Sequence, residues 1–144
     1  MANAGFGARR VPTVVSVFDL NPCKLGSIEE YAAFLSAALA QRGCRSVLFF
    51  SAEGDPDVRK HIERFHGVVE IAPAVNGGHV SAGVLRMIRA YRPNVVHFHF
   101  IEHFSLLPIK AAFTGAKSIL FTDHVRTPQR LNQLTRWKLR AWNA

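Results

Sequence analysis

Three short stretches carry the residues that could do chemistry. In NVVHFHFIEHF, Asn94 to Phe104, three histidines (His97, His99, His103) and Glu102 fall within eleven residues. Such a set can form a metal site, a catalytic cluster or the polar end of a buried strand. In FTDH, Asp123 precedes His124; the imidazole could donate to a phosphate or a sugar hydroxyl or accept a proton, with Asp123 orienting it. In KLGS, Gly26 permits close backbone approach, Ser27 opens a helix whose free N–H groups favour an anion, and Lys24 adds positive charge. An ordinary turn accounts for FTDH or KLGS as well.

The elements that must position these residues alternate between strand and helix. Strands are expected over Val11 to Leu20, Arg45 to Ala52, Val68 to Val75, Asn94 to Phe100 and Lys117 to Thr122, all rich in β-branched and aromatic residues. A helix from Ser27 to about Gln41 is expected to start on a Ser27/Glu30 capping box and to bury Ile28, Tyr31, Ala32, Leu35, Ala38 and Leu39. Further helices follow over Pro56 to about His66, from Val80 to Tyr91, and from near Phe104 to Gly115 with Pro108 in its first turn; a basic amphipathic helix follows Thr127.

This alternation implies a single α/β domain, a doubly wound and mostly parallel sheet of Rossmann-like topology over 11–144, preceded by a flexible segment, 1–10. In such sheets ligands bind beyond the carboxyl ends of the strands where the winding reverses. The loops that matter are then Asn21–Ser27, the stretch after Phe100 and Asp123–Thr127. On strand four His97 and His99 share a face, His97 in mid-strand and expected to be buried, His99 nearer the rim with Glu102 and His103. No third ligand is fixed by the spacing of these histidines, so no metal site is assigned. Neither a Walker loop nor a GxGxxG fingerprint is present, and no organic cofactor is assigned.

Of 144 residues, 49% are apolar, enough for one core. No apolar run is long enough to span a bilayer, and no signal peptide is read. Two cysteines, Cys23 and Cys44, fall at opposite ends of their strands, beyond disulfide reach, and suit a reducing cytoplasm. The net charge of +8 is one-sided. Residues 1–72 balance eight Lys and Arg against eight Asp and Glu, whereas 73–144 carry ten against two. An anionic partner follows: a phosphate-bearing ligand, an acidic membrane face or nucleic acid, the last two also suggested by Arg126, Arg130, Arg136, Lys138 and Arg140 around Trp137 and Trp142.

The order of these segments, with LGSIEEYAAFLSAALAQRG, RPNVVHFHF and ILFTDH, resembles the N-terminal domain of family four retaining glycosyltransferases, two-domain enzymes of the GT-B fold, over about Val11 to Arg126. The resemblance implies that Gly26 and Ser27, with Lys24 as a local addition, lie beside donor phosphates and acceptor. It places His124 near the transferring sugar and His99, Glu102 and His103 in the acceptor site. Asp123 and Arg126 flank His124. A second adjacent glycine, usual in the family, is replaced by Ser27.

The implied reaction moves a sugar from a nucleotide diphosphate sugar to an acceptor hydroxyl with retained configuration and no obligatory metal. A further domain or partner chain would carry most donor contacts, so the chain alone is expected not to turn over. Localisation is expected to be cytoplasmic, with a peripheral membrane contact consistent with the charge. The competing class is a non-catalytic α/β module that binds an anionic ligand or nucleic acid through its basic half; as a partner of the transferase, nucleic acid is not expected.

Overall fold

Valine, isoleucine, leucine and phenylalanine dominate five short segments, and each becomes a strand because such residues pack well on a pleated surface covered from both sides. The computed structural model describes residues 10–71, 80–101 and 105–122. Within them run β1 (Thr13–Phe18), α1 (Ser27–Gln41), β2 (Arg45–Phe50), α2 (Pro56–Arg64), β3 (Gly67–Ile71), α3 (Val80–Tyr91), β4 (Val95–His99), α4 (Leu107–Thr114) and β5 (Ser118–Thr122). The basic tail from Thr127 and the segment read as flexible, Arg10 excepted, lie outside the described residues.

The strands form one sheet in the order β3-β2-β1-β4-β5, and every pair is parallel. Winding therefore runs outward from β1 through β2 to β3, then returns across to β4 and continues to β5. The reversal falls between β1 and β4. The expected doubly wound topology is thus present.

Two apolar cores follow from the pleat. Val15, Val17, Val47, Phe49, Val96 and Phe98 face α3 and α4, joined by Val84, Met87, Ile88, Leu107 and Ala111. Phe18, Leu48, Phe50 and Val69 face the opposite way, against Ala32 of α1 and Val58 and Ile62 of α2. At about 25 cal/mol per Å² of apolar area removed from water, these two layers supply the main favourable contribution to folding.

Helix ends show how the local sequence is used. Asp55 caps α2, its side chain accepting from the Asp57 N–H at 2.8 Å, with Pro56 at the first helical position. Asp55→Ala is expected to lower stability by about 1 kcal/mol, read as an earlier urea midpoint at unchanged slope. Helix α4 carries Pro108 in its first turn and closes at Gly115, as expected.

Helix α1 differs from the sequence reading in two ways. Its N-cap is Gly26, with no side-chain cap, so Ser27 is the first helical residue and the Ser27/Glu30 capping box does not form. Of the expected stripe Ala32 is buried and Ile28 packs on the core, but the other buried positions are Glu29, Ala33 and Ser36. Tyr31 is exposed and Leu35 only half-buried. The rotation has a packing cause: small side chains let the helix approach the sheet closely, and Ser36 Oγ there donates to Ala32 O at 2.8 Å and also meets Ser46 Oγ of β2 at 2.9 Å.

Candidate functional site

All five strands point the same way, so their carboxyl ends make one edge. In register along it stand Ile71, Phe50, Phe18, His99 and Thr122. The reversal falls between Phe18 of β1 and His99 of β4, both buried, and the Asp19 N–H reaches His99 O at 3.5 Å to extend that pairing by one residue. This is where an open parallel sheet leaves room for a ligand.

His99 is packed here by three rings. It stacks on Phe18 at 4.5 Å between centroids with 12° between planes, lies 3.9 Å from the His97 ring, and meets Tyr31 edge-on at 5.6 Å. Tyr31 comes from the first turns of α1, which overhang this edge. Partial burial of its ring against His99 pushes the phenol up from the usual tyrosine range.

The expected burial of the two strand histidines is inverted. His99, placed near the rim from the sequence, is 1% exposed, and His97, placed in the core, is half-buried. The cause is the position of α1: its amino end, with Tyr31, covers the carboxyl end of β4, while the β5 residue beside His97, Leu120, is 52% exposed. His97 Nε2 lies 2.7 Å from Thr122 Oγ1, tying β4 to β5 near their carboxyl ends. Thr122→Val removes that bond while keeping the shape and is expected to lower thermal stability by about 1 kcal/mol.

The loop after β1 is fastened to its neighbour. Asp55 N–H donates to Pro22 O at 3.0 Å and Ser51 Oγ to Leu20 O at 3.3 Å, so the β2–α2 connection holds the loop from below. Gly54 is required for that approach, because a Cβ there would stand 2.2 Å from Pro22 O. Gly26 is half-buried at the head of α1, whereas Lys24 and Ser27 are exposed. An apolar cavity of about 80 Å³ lies beside this loop, lined by Pro22, Phe50, Pro56, Ile62 and Ile71 among others. A larger groove of about 260 Å³ by Phe49, Glu70, Arg86 and Tyr91 sits on the other face of the sheet, away from His99.

The structure thus brings Gly26, Ser27, Lys24 and His99 to one edge. Glu102, His103, Asp123, His124 and Arg126 lie outside the described residues, and the strand leading to the last three ends at Thr122, paired with His99. Residues the sequence reading did not assign to the site are Phe18, Tyr31, Glu29 and Gly54. Only Gly54, in a Gly-Asp-Pro turn, carried a local signal. Among the described residues the cysteines are free, and no three His, Cys, Asp or Glu side chains converge on a point.

A parallel sheet of this strand order, with helices on both faces, defines a Rossmann-like domain. The sequence narrows the class further: residues 28–144 match the family model described as Glycosyltransferase Family 4. The chain belongs to that family, and its fold is that of an N-terminal GT-B domain. A glycosyltransferase-like function, with a sugar donor and an acceptor in general, follows from membership. The match begins at Ile28, just past Gly26 and Ser27. No curated protein matches the chain.

Proposed function

We propose that this domain forms the acceptor wall of a retaining glycosyltransferase that moves a sugar from a nucleotide diphosphate sugar to an acceptor hydroxyl. The observation that carries the reading is the β1–β4 reversal, where His99, Tyr31 and the Gly26 loop share one edge of a family four domain. Transfer of this kind rests on holding the acceptor hydroxyl against the sugar and on stabilising the leaving phosphate. Tyr31, held over the buried His99, suits the first task. His124, with Asp123, is assigned to the transferring sugar; Lys24, Ser27 and Arg126, with Glu102 and His103, complete the surroundings of donor and acceptor. A second wall, on a further domain or a partner chain, supplies the remaining donor contacts, and without it the chain does not turn over.

Calorimetric titration tests the reading. A simple methyl glycoside is expected to bind the chain, UDP-glucose to bind weakly, and the mixture to yield no transfer product. Full transfer by the chain alone overturns the requirement for a second wall. Failure of any glycoside to bind, with polynucleotide binding that falls steeply as salt rises, favours the anion-binding module instead.

The site operates in the cytoplasm, at a membrane surface. No helix among the described residues is long and apolar enough to cross a bilayer. Leu106, Ile109 and Phe113, spaced three and four apart along α4, are exposed, Phe113 at 90%, with Lys110 and Lys117 nearby and no acidic residue between Ser105 and Thr122. Apolar side chains flanked by lysines suit an anionic lipid interface. Vesicles containing phosphatidylglycerol should sediment the chain and neutral phosphatidylcholine vesicles should not; equal behaviour of the two contradicts the membrane contact.

A further inference from the structure

Helices α3 and α4 lie over β1 and β5, and beside α3 the same face of the sheet is left open above β2 and β3. The opening is a groove of about 260 Å³, at the small end of ligand sites. Its floor is apolar, Phe49 and Met87, and Glu70, Arg86 and Tyr91 stand along its walls. Alternation along β2 puts Arg45 on the face of Phe49, and its guanidinium stacks over the Tyr91 ring at 4.9 Å. Tyr91 is fixed at both ends. Its hydroxyl donates to Glu70 Oε1, and its carbonyl accepts from the Arg10 guanidinium at 2.8 Å. The hydrogen bond to Glu70 pushes the phenol up from the usual tyrosine range. Among the described residues Arg45 and Arg86 form no ion pair, and the Glu70 carboxylate accepts from no side chain but Tyr91. Two cations thus border the groove with no carboxylate paired to either.

We propose that this groove is a second ligand site, separate from the carboxyl edge, for a small phosphate monoester that also carries hydroxyls, such as a sugar phosphate. The planar fork of Arg86 matches a phosphate with two parallel hydrogen bonds, and Arg45 over the Tyr91 ring adds to the positive field. An ionised Glu70 only accepts hydrogen bonds and has a second oxygen for hydroxyl donors. It repels a further anionic group, so a monoester fits the groove and a diphosphate does not. Phe49 and Met87 offer the apolar floor on which the C–H face of such a ligand rests. The site lies on the face of the sheet opposite His99 and stands independently of the acceptor-wall reading.

Amide chemical-shift titration of the full chain with D-glucose 6-phosphate, sn-glycerol 3-phosphate, inorganic phosphate and methyl α-D-glucopyranoside tests this. At least one of the two monoesters should shift residues 45–49, 68–71 and 83–91, and bind there about tenfold more tightly than inorganic phosphate or the neutral glycoside. Arg86→Gln should weaken that binding about tenfold. Arg86 is exposed, so the variant should keep its urea midpoint. Glu70→Gln, whose amide oxygen still accepts from Tyr91, should weaken the monoester while inorganic phosphate binds as well or better. Neither substitution should alter glycoside shifts at the carboxyl edge, which report on the acceptor wall alone. Monoester shifts confined to residues 24–31, or indifferent to Arg86→Gln, overturn the second site. Equal affinity for monoester and inorganic phosphate reduces the groove to a general anion contact and also overturns it. So does sedimentation with phosphatidylglycerol vesicles that Arg86→Gln abolishes while neither soluble monoester shifts the groove, because the phosphate is then a lipid headgroup.

Discussion

Phe18→Ala is expected to lower the stability of the domain by about 4 kcal/mol and to abolish glycoside binding at the carboxyl edge. Phe18 is fully buried at the carboxyl end of the central strand, stacked on Phe50 at 5.3 Å and on His99 at 4.5 Å. Truncation removes the transfer energy of the ring and leaves a cavity, which together amount to about 3–5 kcal/mol for a buried phenylalanine. The loss is a large fraction of the roughly 5–15 kcal/mol that holds a domain of this kind together. It also removes the surface against which His99 is flat, so the imidazole gains freedom where the ligand is proposed to sit. Phe18→Leu refills most of the volume and should cost about 1.5 kcal/mol. Urea unfolding of the two variants separates the cases: near-equal midpoints would show that Phe18 is not packed as described.

Gly54→Ala should have the second largest effect and a different signature. A methyl at residue 54 meets Pro22 O at 2.2 Å, Pro22 Cγ at 2.5 Å and Pro22 C at 2.7 Å. Two of those three atoms are backbone, so rotation of a side chain cannot relieve the contact. Either the Asp55 N–H to Pro22 O bond breaks or the whole β1–α1 loop moves by about 1 Å. Strain of this kind is worth about 2 kcal/mol. A displacement of that size at a binding loop weakens ligand positioning at least tenfold. Gly54→Ala should therefore lower glycoside affinity while the β1–β4 pairing survives. Unchanged affinity and stability would show that the loop is not held by this contact.

Much of the fold is legible in the sequence because its signals are local. Helix α3 ends at Tyr91 before Arg92-Pro93, α2 opens on Asp55-Pro56, and each apolar run becomes a strand, four of them trimmed by a residue or two and β3 starting one residue early, with 72–75 outside the described residues. The parallel order follows from strand and helix alternation, which leaves few topologies to choose from. What escaped is set by packing between distant segments. Periodicity placed Ala32 and Ile28 correctly on the inner face of α1 but put Tyr31 and Leu35 there too; the sheet accepts Ala33 and Ser36 beside Ala32 because they allow close contact. His97 and His99 differ in burial only because α1 overhangs one and not the other, and no neighbouring residue encodes that. Glu29 and Gly54 became visible once Gly26 and Pro22 stood beside them.

The central claim is that a sugar-like acceptor occupies the carboxyl edge at the reversal between β1 and β4. Hydrogen–deuterium exchange of the chain, with and without methyl α-D-glucopyranoside or methyl α-D-mannopyranoside, tests it most directly. The account predicts slower exchange over residues 19–31 and at Phe100 and Ile101, with residues 42–45 and 92–94 at the opposite edge unchanged. Protection confined to that opposite edge, or to α4 and β5, would contradict it.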